Sequence, residues 1–181
     1  QRAIADVLRA QLVRSLIACG DLDQADEIVR KALERLDATT AAPRVASFLR
    51  ESALIRLRRK DVKRGMAELA EARSLFAKGG NRREEALTLH RIAHAALDEG
   101  DLTQAAERAK EALALANRIK HARAIALARE VQGRIALATE RPAEAISALR
   151  DAAASLKRLG DDVGALHVSE WMLRAQILSG E

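Results

Sequence analysis

The sequence predicts an all-α protein, and its composition and residue spacing carry that prediction. Of the 181 residues, 39 are alanine and 25 are leucine, whereas valine and isoleucine together number 18 and aromatic residues make up 2%. Alanine and leucine favour helices, while β-branched and aromatic residues favour strands. Apolar residues also recur three and four positions apart, as in Ala86, Leu89, Ala93 and Ala96. This is the spacing of one face of a helix.

A forty-residue period runs through the chain. Gly20-Asp21-Leu22 returns as Gly100-Asp101-Leu102, and Lys60-Asp61-Val62 and Glu140-Arg141-Pro142 stand at forty-residue steps from them. Small residues follow these turns at two fixed distances. The two columns are Ala25, Gly65, Ala105 and Ala145, then Ala32, Ala72, Ala112 and Ala152. Columns that keep their register along a whole chain indicate a repeat protein.

Each forty-residue unit predicts a hairpin of two antiparallel helices. We expect first helices at about residues 3–19, 43–59, 82–99, 121–139 and 161–178. Second helices are expected at about residues 23–37, 62–78, 103–119 and 142–159. Because a single hairpin cannot bury both of its apolar faces, the units must stack side by side.

Local signals support the ends of these helices. Three starts have capping-box spacing: Asp21 with Gln24, Asn81 with Glu84, and Asp101 with Gln104. Gly20 and Gly100 suit left-handed helix ends. Pro43 and Pro142 suit the first position of a helix.

The predicted domain organisation is a single repeat array over residues 1–181. Its units cover about residues 3–40, 43–80, 82–120, 121–160 and, in part, 161–181. The chain opens inside a helical pattern without a cap, so we expect it to be a piece of a larger protein.

These residues resemble a tetratricopeptide repeat (TPR) array. That family places a small residue midway along the first helix, and the corresponding residues here are Ala53, Ala93 and Gly133. The resemblance implies a right-handed solenoid of about 4.5 repeats, similar to the forty-residue variant in sensor arms of bacterial signalling regulators. Val13 and Leu173 depart from the small mid-helix residue at the two ends. A HEAT or armadillo array has repeats of similar length and is the alternative.

The resemblance also implies a function: a non-catalytic scaffold that binds a protein or peptide in a concave groove lined by first helices. The polar and apolar positions expected to line this groove are Arg14, Arg50, Glu51, Leu54, His90, Arg91, His94, Glu130, Val131, Arg134, Trp171 and Arg174. Guanidinium groups can bind carboxylates in pairs of hydrogen bonds, so an acidic peptide would suit the groove. Alternatively, the same arginines pair with neighbouring glutamates and hold adjacent units together.

Two other functions are open to the sequence. The C-terminal repeat presents a hairpin face that could pair with a second copy, so the array could be a self-association module. A basic cluster formed by Arg56, Arg58, Arg59, Lys60, Lys63 and Arg64 could bind nucleic acid or an acidic partner. The net charge is only +5, and basic and acidic residues alternate nearly everywhere. Nucleic acid is therefore the less expected partner.

The sequence contains no pattern that indicates catalysis, metal binding or insertion into a membrane. No catalytic motif occurs, so we expect no enzyme activity and no cofactor. His90 and His94 have the i, i+4 spacing of two metal ligands, but Arg91 lies between them and a third ligand is missing, so no metal is expected. No apolar segment is long enough to cross a membrane. One cysteine, Cys19, cannot form an internal disulfide, and a cytoplasmic location is expected.

Overall fold

The protein is built of α-helices in two compact units. The structure, a computed structural model, describes residues 2–180 and the side chains of residues 4–37 and 41–180; Gln1 and Glu181, the ends of the predicted array, lie outside the described residues. Across the described part, nine helices and no strands are found: α1 (Arg2–Cys19), α2 (Leu22–Glu34), α3 (Ala38–Arg58), α4 (Val62–Lys78), α5 (Arg82–Asp98), α6 (Leu102–Arg118), α7 (Ala122–Ala138), α8 (Pro142–Arg158) and α9 (Asp162–Ser179). The first unit is Gln1–Thr88 and the second is Leu89–Glu181, so the division falls within α5. The all-α prediction is confirmed.

Within each unit the helices pack as stacked hairpins. In the first unit, α1 packs on α2, α2 on α3 and α3 on α4, while α1 also contacts α3. In the second unit, α6 packs on α7, α7 on α8 and α8 on α9, while α7 also contacts α9. The first helices of consecutive hairpins are therefore neighbours in both units, as the repeat predicts.

The small-residue columns lie in the helix contacts. Every member of the two predicted columns is buried: Ala25, Gly65, Ala105 and Ala145, and Ala32, Ala72, Ala112 and Ala152. Gly133 shows how close the helices come, because a Cβ at this position would stand 2.5 Å from Cγ of Leu149 on α8. Leu149 is fully buried and has no room to move away. The missing side chain therefore allows α7 and α8 to pack at this distance.

Helix ends recur every twenty residues, which is half of the period read from the sequence. The left-handed positions with positive φ are Gly20, Lys60, Gly80, Gly100, Lys120, Glu140, Gly160 and Gly180. The residue after the left-handed one donates its N–H to the carbonyl five residues back, as Asp101 does to Ala96 at 2.9 Å and His121 does to Ala116 at 3.0 Å. This is the Schellman pattern, which favours glycine because a left-handed residue brings its Cβ close to the carbonyl.

The residue after most of these turns also caps the next helix with its side chain, although Arg141, which precedes α8, makes no such hydrogen bond. The predicted caps Asp21, Asn81 and Asp101 accept hydrogen bonds from the backbone N–H three residues ahead, at 3.2, 3.3 and 2.9 Å. These predictions are confirmed. Asp161 caps α9 in the same way, and His121 caps α7 through Nδ1, which accepts from the N–H of Ala124 at 3.1 Å. The sequence analysis did not identify these last two caps.

The connection between α2 and α3 departs from this pattern. We expected the second helix to continue to about residue 37, but α2 ends at Glu34, and Arg35 follows in a right-handed conformation. Ala41 interrupts α3 with φ −128° and ψ 23°, two residues before Pro43. Proline lacks the N–H of a helix interior and restricts the residue before it, so the regular part of α3 begins at the predicted position.

We expect Lys120→Gly to raise the free energy of unfolding by about 1 kcal/mol, because glycine removes the cost of a left-handed lysine. The shift in Tm, followed by circular dichroism, should be about 2–4 °C.

Lys110→Gly is the matched control, since Lys110 is exposed in the interior of α6. The same chemical change should there lower the stability by about 1 kcal/mol. A fall in Tm for both variants would contradict a left-handed position at residue 120.

Candidate functional site

A stack of three side chains marks the first-helix face of the second unit. Trp171 of α9 contacts two guanidinium groups: Cζ of Arg134 is 4.5 Å from the centre of its ring, and Cζ of Arg174 is 4.4 Å away. Arg134 comes from α7, whereas Arg174 is one turn from Trp171 on the same helix. A cation over an aromatic face is attracted by the ring's electron density. The indole is thus held in one orientation.

Arg134 is itself held by polar partners on neighbouring helices. Its Nη2 donates to Asp98 Oδ1 at 2.8 Å, and its Nη1 lies 2.6 Å from His94 Nε2 and 3.4 Å from Glu130 Oε1. Only 9% of the Arg134 side chain is exposed. Because a guanidinium can only donate, His94 Nε2 accepts, and the imidazole proton is placed on Nδ1. This Nδ1 donates to Asp98 Oδ2 at 3.0 Å.

The network also sets the charge of Asp98. Partial burial alone would raise the pKa of this carboxyl group, but the hydrogen bonds from His94 and Arg134 and the positive charge of Arg134 outweigh burial and lower the pKa from 3.8 to about 2. Asp98 is therefore ionised throughout the neutral and mildly acidic range. Its carboxylate offsets the charge of Arg134 at this face.

The first unit carries a related but simpler set of pairs. Arg14 of α1 donates to Glu51 Oε1 of α3 at 3.1 Å, and Arg50 of α3 donates to Glu84 Oε2 at 2.6 Å. The Arg50 side chain is 11% exposed, and its Cζ lies 5.6 Å from the centre of the Phe76 ring. These arginines connect consecutive first helices.

The structure sorts the twelve predicted groove residues by exposure. Arg14, Arg91 and Arg174 are exposed, and Arg50, Leu54, His94 and Trp171 are partly exposed. Glu51, His90, Glu130, Val131 and Arg134 are buried. Buried residues can contribute to a contact surface only by positioning the exposed ones. Leu54 packs against the apolar core of the first unit.

Three contributors to these faces were missed in the sequence analysis: Glu84, Asp98 and Phe76. Asp98 follows His94 by four residues, so its place on the same helix face was available from the spacing. Glu84 was identified only as part of a helix cap. Nothing in the local sequence connects Phe76 with Arg50.

His90 and His94 approach each other without forming a metal site. Their ring centres are 6.0 Å apart with the planes at 75°. In the described part of the chain, no group of three or more histidine, cysteine or acidic side chains has the arrangement of a metal site. The His90 ring is buried, its Nδ1 has no hydrogen-bond partner among those residues, and burial together with the charge of Arg91 lowers its pKa well below 6.5.

The basic cluster around the α3–α4 turn is partly neutralised. Arg59 donates to Asp26 Oδ2 at 2.6 Å and also to Asp23, and Arg56 lies 3.4 Å from Asp26. Arg64 pairs with Asp61 at 3.6 Å. The cluster therefore presents less positive charge than its sequence indicates. It gives little support to the prediction of a nucleic-acid site.

Comparison with known proteins identifies the fold. The kinesin light chain nearly identical TPR-like repeats of Podosopora anserina have a TM-score of 0.68 at 16% identity, over 95% of this chain and 85% of that one. BtubC (BKLC) from P. vanneervenii has a TM-score of 0.60 at 16% identity, over 93% of this chain and 78% of that one. The fold is that of TPR-like repeat proteins. No protein-family model and no curated protein matches the chain.

The TPR-like assignment confirms the predicted helical repeat of about 4.5 units. At 16% identity the likeness concerns the fold alone. The forty-residue variant of signalling regulators stays a prediction. No helix among residues 2–180 combines the length and the apolar character that crossing a bilayer would need.

We expect the stability of the protein to fall as the pH drops below about 6.5, because the unfolded chain protonates His90 while the folded chain keeps it neutral. This one group contributes up to about 1.4 kcal/mol per pH unit. His90→Leu should flatten the curve of Tm against pH in that window.

His167→Leu serves as the control, because His167 is exposed and lies 3.8 Å from Glu170. It should keep the acid sensitivity of the natural chain. Identical pH curves for the natural chain and His90→Leu would show that His90 is not buried as a neutral ring.

Proposed function

We propose that this TPR-like array is a non-catalytic scaffold that binds a protein or peptide segment on the first-helix face of its second unit. The observation that carries the proposal is the fixed Trp171 stack, flanked by the exposed Arg174. A large aromatic group that is already held in place loses little conformational freedom when a partner covers it. Aromatic and arginine side chains are also the residues that most often dominate binding energy.

The charges of this face favour an acidic segment. Arg134 is engaged with Asp98, His94 and Glu130, so it positions Trp171 and is not offered to a partner. Arg174 and Arg91 are exposed and lie on α9 and α5. We infer that a partner places carboxylates at these arginines and an apolar side chain beside Trp171. The exposed arginines then supply specificity through complementary charge.

The cellular location of the array and the protein to which it belongs are inferred from the sequence alone. We propose a cytoplasmic location and a larger regulatory protein as the parent chain, because the repeat resembles the sensor arms of signalling regulators. The TPR-like fold supports a scaffold role, while the parent's other domains and its pathway stay predictions.

A peptide-display selection tests the binding face. Peptides enriched on the natural chain should carry aspartate or glutamate next to an apolar residue. In a fluorescence anisotropy assay, Arg91→Glu combined with Arg174→Glu should weaken the best peptide by about tenfold or more, because both changes oppose the peptide's charge.

The matched control is Arg150→Glu with Lys157→Glu, which makes the same change in charge at two exposed positions of α8. This control should bind as the natural chain does. Arg134→Glu is avoided, since it would also break the buried network. If both double variants weakened binding equally, the effect would come from the net charge of the protein and not from this face. If Arg91→Glu with Arg174→Glu left binding unchanged, this face would be excluded.

Self-association is a second candidate, and the outer face of α9 favours it. Val163, Leu166, Leu173 and Ile177 form one stripe along α9, and their exposed fractions are 82%, 66%, 58% and 69%. Leu173 stands forty residues after Gly133, the position at which α8 covers α7. A two-fold axis perpendicular to α9 makes two copies of this helix antiparallel, as the helices of a hairpin are. A second copy of α9 can therefore cover the stripe of the first.

Sedimentation velocity across a wide concentration range tests this candidate. A dimer should form, and Leu166→Glu with Leu173→Glu should dissociate it, because each charge would be buried without a partner. The comparison variant is Ile4→Glu with Leu8→Glu, which alters the exposed apolar stripe of α1. A monomer at every concentration, or dissociation only by the α1 variant, would contradict pairing through α9.

A further inference from the structure

A cavity of about 520 Å³ lies in the first unit and shares no lining residue with the first-helix face of the second unit. Its wall is formed by the N-terminal half of α1, the end of α2 and the start of α3. The described residues around it are Asp6, Arg9, Ala32, Arg35, Leu36, Asp37, Ala41 and Arg44. This volume is in the range of small-molecule sites, which is roughly 300–1,000 Å³.

The cavity follows from the irregular connection between α2 and α3. Helix α2 has 13 residues, whereas α4, α6 and α8 each have 17. Four fewer residues shorten a helix by about 6 Å, or one turn. Because α2 runs antiparallel to α1, the missing turn leaves the N-terminal half of α1 uncovered. Ala41, at the interruption of α3, lines the same space together with Asp37 and Arg44.

One side of the cavity is charged in a fixed arrangement. Asp6 has 12% of its side chain exposed, and each of its oxygens accepts from a different arginine. Arg9 Nη1 donates to Oδ1 at 2.8 Å, and Arg44 Nη1 donates to Oδ2 at 3.1 Å. The single carboxylate therefore holds two guanidinium groups side by side. Both arginine side chains remain partly exposed, at 42% for Arg9 and 37% for Arg44.

The remaining lining adds a third cation and an apolar wall. Arg35 is exposed at the end of α2, so three arginines face two aspartates around the cavity. Ala32 and Ala41 are buried, and Leu36 is half-buried. An excess of guanidinium groups favours an anion, since each planar group can donate two parallel hydrogen bonds to a carboxylate or phosphate. The apolar wall favours a short hydrocarbon part.

We propose that this cavity, the α1–α2–α3 cavity, binds a small organic anion with a carboxylate or phosphate headgroup and a short apolar body. The headgroup lies against Arg9, Arg35 and Arg44, and the apolar body lies against Ala32, Leu36 and Ala41. The residues of this site are all different from those of the proposed peptide-binding face.

Isothermal titration calorimetry on the 181-residue chain tests the proposal with hexanoate and hexyl phosphate as probes. We expect saturable binding of at least one probe with a Kd of about 1 mM or lower. Binding of hexanoate alone assigns a carboxylate ligand, and binding of hexyl phosphate alone assigns a phosphate ligand. Acetate should bind more weakly than hexanoate, because it leaves the apolar wall uncovered.

Variants locate the binding. Arg35→Gln and Arg44→Gln should each weaken the better probe by about tenfold, because each removes charge-assisted hydrogen bonds. Arg58→Gln changes an exposed arginine elsewhere on α3 and should bind as the natural chain does. Arg35 is exposed, so its variant keeps the test valid even if loss of the Arg44 pair with Asp6 disturbs folding.

Three results would overturn the proposal. One is the absence of binding by both probes at concentrations well above 1 mM. Another is equal binding by the natural chain and Arg35→Gln. The third is equal binding of hexylamine, which has the same hydrocarbon part but the opposite charge.

Discussion

Close approach of antiparallel helices at positions without bulky side chains is the constraint on which this structure depends. At Gly133 the backbone of α7 comes so near Leu149 of α8 that one added carbon would overlap it. Gly65 allows an equally close approach of α4 to α3, where an added Cβ would lie 2.8 Å from Cγ of Leu57. Leu149 and Leu57 then fill the space beside these glycines, so the two helices of each hairpin are in close contact there. The alanine-rich composition is a consequence of this packing.

Packing at this distance also decides what happens to the charged residues. First helices of consecutive hairpins lie near enough for an arginine on one to reach an acid on the next, as Arg50 reaches Glu84 and Arg134 reaches Asp98. Pairs that are largely buried add little net stability, because desolvation offsets the attraction. Their effect is to define which side chains meet across the repeat. Trp171 and Arg174 keep part of their surface exposed beside these pairs, and they are the residues on which the proposed binding face depends.

The place in the first unit that departs from the regular repeat is also the place where a cavity opens. The remaining described connections between helices recur at twenty-residue intervals. Helix α2 instead ends about one helical turn early, and a cavity lies beside Asp6. A regular stack buries its equivalent positions, whereas an irregular one exposes them.

By itself, the sequence determined the helices, their register and several of their caps. Asp21 and Asp101 cap helices because a short side chain bonds to its own backbone, and this depends on residues three apart. Tertiary structure decided which predicted groove residues reach the surface. Arg134 and Arg174 occupy equivalent positions of the repeat in the sequence. In the structure, Arg134 is buried against Asp98, whereas Arg174 is exposed. The reason is physical: a pairing across 36 residues depends on the distance between helices, which no local pattern encodes.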